Sequence, residues 1–93
     1  MRVTILEKVW RLSFVKKLRT TTMEGECDGP HVKGKTIRIS ERLRGRKFLE
    51  TILHEMLHAA DWHKDEYWVQ EVAKDLSRVL MRQEIRDRIF PKQ

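Results

Sequence analysis

The sequence predicts an α+β domain in which a small antiparallel sheet packs against two main helices. Three observations carry this: two alternating apolar runs in the first half, two stretches of helical periodicity in the second, and a loop rich in Gly, Asp and Pro between the runs. At 93 residues the chain is long enough for one domain, 1–93, and too short for a multi-layered enzyme.

Trp10, Leu12 and Phe14 alternate with Arg11, Ser13 and Val15, the period of a half-buried strand, which predicts strand over residues 9–18 with an onset as early as Val3. From Thr20 to Gly34 the composition (Gly25, then Asp28-Gly29-Pro30) predicts turns and loop. Lys35–Ser40 alternates again, with Ile37 and Ile39 on one face, and is the second strand. Leu49, Ile52, Leu53, Met56, Leu57 and Ala60 follow i, i+3, i+4 spacing and predict a helix over 44–61. A second helix is expected over 66–89, capped by Asp65, striped by Val69, Val72, Ala73, Leu76, Val79 and Leu80, and closed by Pro91.

Composition excludes several classes. No apolar run reaches the roughly 18 residues of a membrane span, and the N-terminus lacks the apolar core of a signal peptide, so a soluble, cytoplasmic protein with no membrane partner is expected. A single cysteine, Cys27, forms no internal disulfide and no Cys-based zinc knuckle, and reads as an ordinary loop thiol. The net charge of +6 is uneven: residues 1–49 carry 13 basic and 5 acidic side chains, residues 50–93 carry 7 and 9. A basic N-terminal half is what a nucleic-acid partner would require, although charge of this size also serves solubility.

The chemistry lies in His54-Glu55-Met56-Leu57-His58, an HExxH sequence inside the first helix. Histidines at i and i+4 stand one above the other, so both imidazoles reach one Zn²⁺, while the intervening glutamate meets a water at that ion. Both histidines project well away from the apolar stripe, which places them on a solvent or cleft face rather than in the core. A third protein ligand is required, with the fourth position left to water. Asp61 lies one turn past His58 and is better placed to orient an imidazole than to ligate, with an ordinary surface pair an equal alternative; His63 lies in the turn, Glu66 in the first turn of the second helix, and Glu71 farther along. Glu66 is preferred, since a helix holds its carboxylate rigidly, against the alternative that it only complements the helix dipole.

The segment from about 35 to 80 resembles the HExxH zincin peptidases, most closely the small gluzincin-like members: the minigluzincins and the ImmA/IrrE-like and SprT-like domains. In ImmA/IrrE-like proteins a glutamate opens the second helix with apolar residues at set distances after it, a spacing that Glu66, Val69, Val72, Ala73 and Leu76 match. The resemblance implies a zincin-like minimal metallopeptidase domain, with His54, His58 and Glu66 on zinc and Glu55 as catalytic base. It implies a peptide or protein substrate, paired in extended form along the strand before the motif helix, here Lys35–Ser40. A SprT-like pattern would instead use His63, and the metzincin pattern is excluded because Asp61 and Lys64 stand where a Gly and a third His are needed. His63 and Tyr67 lie near enough to the expected site to donate a hydrogen bond to an oxyanion, but a turn histidine and a half-buried aromatic are the favoured readings, and Trp62 and Trp68 are expected to pack between the helices.

Overall fold

The computed structural model describes residues 1–19 and 24–92; the start of the predicted loop, 20–23, lies outside them. The fold is α+β, as expected. Strands β1 (Arg2–Ile5), β2 (Lys8–Val15), β3 (Gly25–Cys27) and β4 (Thr36–Ser40) form one sheet, followed by helices α1 (Gly45–Ala60), α2 (Glu66–Leu80) and α3 (Gln83–Ile89). No helix among the described residues is long and apolar enough to cross a membrane.

The sheet is mixed rather than antiparallel, in the order β1-β2-β4-β3. Strand β4 inserts between β2, which it pairs in parallel, and β3, which it pairs antiparallel. The strand expected over 9–18 is present as β2 but ends at Val15, and the earlier onset near Val3 belongs to a separate strand, β1, joined to it by a hairpin. Ile5 pairs Lys8, and the two loop residues between them, Leu6 and Glu7, hold φ at 48° and 66°. Two consecutive positive φ values are the geometry of a type I′ turn, which normally requires Asn-Gly. A Leu-Glu pair gives no such signal.

On the face towards α1, Trp10, Leu12, Ile37 and Ile39 are buried and make the core with Ala59; Phe48, Ile52 and Met56 of α1 pack against it. Each large apolar side chain buried here contributes about 1.5–3 kcal/mol. On the opposite face Arg38 bridges Asp28 at 2.8 Å and Glu26 at 3.5 Å. Burial alone would raise the Asp28 carboxyl, but the Arg38 hydrogen bond and the Thr36 N–H outweigh it and hold Asp28 below the ordinary carboxylate value.

Helix α1 agrees with the periodicity within a residue at each end. Helix α2 begins where expected, with the Asp65 carboxylate accepting the Trp68 N–H at 2.9 Å. The expected helix over 66–89 is broken, however, because Arg82 adopts an extended conformation (φ −64°, ψ 138°) and α3 starts after it. No Gly or Pro marks that break. Only Val69, Ala73 and Ser77 are fully buried on α2, a line of small residues at i, i+4, i+8 spacing, whereas Leu76 and Val79 stay exposed.

Because both turn residues in the β1–β2 hairpin occupy a conformation unfavourable to branched or long side chains, the double variant Leu6→Asn/Glu7→Gly should raise stability by roughly 1–2 kcal/mol. Thermal and urea denaturation check this. An unchanged or lower midpoint would contradict the type I′ assignment.

Candidate metal centre

Helix α1 carries the sequence motif with Glu55 against the sheet and the two histidines towards α2. Glu55 is 5% exposed, with Thr51 and Ala59 buried on the same strip of the helix. His54 and His58 are half-buried, consistent with a cleft position. The Asp65 cap starts α2 one residue before Glu66, so the Glu66 carboxylate is delivered to the imidazoles from the first turn.

Glu66 Oε1 lies 2.8 Å from His54 Nε2, Glu66 Oε2 lies 2.8 Å from His58 Nε2, and the two Nε2 atoms are 3.1 Å apart. Among the described residues, these are the three His, Cys, Asp or Glu donors that converge within 4.8 Å. Tetrahedral ligands about 2.0–2.1 Å from zinc stand about 3.3–3.4 Å from one another. Each imidazole faces a different oxygen of Glu66, and one ligand atom from each of the three residues falls within 4.8 Å of the other two, a spacing that a single ion can draw together. The Glu66 side chain keeps 64% exposure, leaving the site open on that side for a water or a substrate atom.

Protonation suits the same use. Burial lowers the His58 imidazole below its ordinary value; Glu66 opposes this and His54 adds to it. A neutral imidazole is the form that ligates a metal. Burial above all, followed by the charges of Glu66 and Glu26, raises the Glu55 carboxyl to about 7. A carboxyl poised near neutrality both takes and returns a proton.

The remaining residues singled out in the sequence lie apart from the donor triangle. Asp61 caps the end of α1 and accepts the His63 N–H at 3.3 Å. His63 is exposed in the turn, and Glu71 pairs with Lys74 at 2.9 Å. Tyr67 is 69% exposed and does not line the cleft. Trp62 is on the cleft wall, its ring edge-on to His58 with centroids 6.3 Å apart, and Trp68 lies under the Lys64 ammonium.

Strand β3 supplies a wall that the sequence did not reveal. Gly25 lies so close to α1 that a Cβ would stand 2.9 Å from Thr51 Cγ2 and 3.1 Å from Glu55 Cγ, so only glycine permits this approach without a shift. Cys27 is therefore a strand residue lining the cleft, not a loop thiol. Burial first, then Glu55 and Asp28, push its thiol up to about 12, against the opposing Arg38. It stays a neutral thiol at physiological pH.

The cleft bounded by Glu26, Cys27, Trp62 and Lys64 has a volume of about 460 Å³. A second hollow of about 240 Å³ continues past Glu55 and Glu66 towards Lys47 and Gln70. The donor triangle lies where the two meet.

The expectation that Lys35–Ser40 offers a pairing edge fails, because β4 is flanked on both sides by β2 and β3. The open edge beside the cleft is that of β3. Bonds from Ser40 N to Glu24 O and from Asp28 N to Thr36 O turn the even-numbered residues towards β4, leaving the N–H and C=O of Gly25 and Cys27 on the open side.

If the three donors act together, Glu66→Gln should weaken zinc affinity by tenfold or more, and His63→Ala should leave it within about twofold, as measured by competition with a chromogenic chelator. Equal losses in both variants would contradict this assignment of the third ligand. No family model, no curated protein and no solved structure matches the chain.

Proposed function

We propose that the chain is a small zinc-dependent peptidase in which His54, His58 and Glu66 hold the metal and Glu55 is the general base. The observation that carries this reading is the convergence of three ligand atoms beside a buried carboxyl that titrates near neutrality. An HExxH helix, an open ligand position and a groove running past both sides of the donors support the same reading.

A zinc ion in this site supplies Lewis acidity, polarising a carbonyl and bringing a water to a pKa of about 7. Glu55 accepts a proton from the attacking water as its oxygen bonds the carbonyl carbon. It then passes that proton to the amide nitrogen as the C–N bond breaks. Gly25 is buried, so the half-buried Cys27 offers its outward-facing N–H and C=O to an extended peptide and fixes its register beside Glu55, which moves the substrate edge from β4 to β3. His58 and Glu66 hold their positions through the contact between α1 and α2, so the donors require little rearrangement when substrate enters.

Glu55→Gln keeps the shape of the side chain and removes the base. The variant should retain about one zinc per chain while cleavage of a mixed peptide library, followed by mass spectrometry, falls by roughly 10²–10⁴-fold. Undiminished cleavage by that variant would remove Glu55 from the mechanism, and no cleavage by the zinc-loaded parent protein would remove the peptidase reading.

A further inference from the structure

We infer that the opposite end of α1 is a binding site for single-stranded nucleic acid, independent of the metal centre. The parallel pairing of β2 and β4 brings the ends of both strands to the same side of the sheet. Val15 stands beside Ser40, and the Glu41 N–H donates to Val15 O at 2.9 Å. The residues that leave these strands therefore emerge together, and α1 starts among them. Lys16 and Lys17 follow β2, Arg42 and Arg44 follow β4, and Arg46 lies in the first turn of α1; all five are exposed.

This arrangement runs against ordinary helix chemistry. The first turn of α1 contains no acidic residue and no side chain caps it, so the turn itself supplies no carboxylate to its free N–H groups. Gly45, at φ 61°, begins the helix abruptly. The Arg44 guanidinium fastens the approach by donating to Glu41 O and Leu43 O at 2.6 and 2.8 Å. Glu41 is the one carboxylate in the described stretches 16–19 and 41–46. Lys47 is already matched by Glu24 at 3.1 Å.

Beside Arg44 lies an apolar groove of about 430 Å³ floored by Phe14, Leu43 and Phe48, with Glu41 also on its wall. The two phenyl rings are 5.9 Å apart and tilted by 42°, and Phe14 is 43% exposed although its neighbours along β2 are buried or half-buried on that face. Charge complementarity selects a polyanion, and the exposed ring selects among polyanions. A phosphodiester chain places negative charge on the arginines and the helix amides while an unpaired base stacks on Phe14. An acidic polypeptide offers the charge without the flat ring, and a duplex keeps its bases stacked internally. Eight residues of helix, about 12 Å along the axis, separate Arg46 from His54, so occupancy here leaves the donor triangle free.

The test is fluorescence anisotropy of the full chain with a labelled oligothymidylate of about 12 nucleotides, between about 50 and 200 mM salt. Binding should weaken with a log–log salt slope of about −2, as expected for roughly three phosphates neutralised. Arg42→Glu/Arg46→Glu, which alters only exposed side chains, should weaken it at least tenfold. Phe14→Leu keeps the groove apolar and should weaken it by about fivefold or more while leaving the melting temperature of the protein nearly unchanged. Absence of binding at the lower salt overturns the inference, as does binding unaffected by Phe14→Leu. Displacement of the oligonucleotide as readily by poly-L-glutamate as by unlabelled oligothymidylate would assign the surface to an acidic polypeptide instead.

Discussion

The contact between α1 and α2 is the constraint on which the site depends. Val69, Ala73 and Ser77 form a buried line on α2 whose small size lets the two helices approach closely. Asp65 sets the first turn of α2, and the first residue of that turn is Glu66. A rotation of α2 by one residue would carry Glu66 about 100° around its axis and separate it from both imidazoles. The distances of 2.8 Å to each histidine thus depend on the phase of α2.

The same contact concentrates negative charge. Glu55, Glu66 and Glu26 all border the cleft, and the neighbouring thiol of Cys27 is neutral. Burying carboxylates together is unfavourable unless a cation offsets them, and burial together with the neighbouring carboxylates is what raises Glu55 to about 7. A divalent ion held by the donor triangle would relieve this repulsion and tie α2 to α1. In a chain of 93 residues with a small core, an ion bound there would couple metal binding to folding for that reason.

Local signals were legible in the sequence and long-range ones were not. HExxH spacing places two imidazoles on one helix face whatever the rest of the chain does, and Asp65 marks a helix start through a bond only three residues long. Glu66 could be preferred from its place in that first turn. By contrast, β3 has three residues, none of which favours a strand by itself, and its existence depends on β4 being available as a partner. The parallel register of β2 and β4 likewise leaves no trace in either strand's alternation. The sequence by itself therefore points to β4 as the open edge and to Cys27 as a loop residue. The Leu6-Glu7 turn and the break at Arg82 leave no local signal, because neither contains the glycine, asparagine or proline that usually accompanies such geometry.

X-ray absorption spectroscopy at the zinc edge of the metal-loaded protein tests the central claim most directly, since it reads the ligand atoms themselves. The account predicts a first shell of about four nitrogen and oxygen neighbours near 2.0–2.1 Å, with imidazole scattering from two histidines and no sulfur. A sulfur neighbour at about 2.3 Å would place Cys27 on the metal, and a shell of six oxygens without imidazole would place the ion outside the triangle. Either result would contradict a centre built from His54, His58 and Glu66.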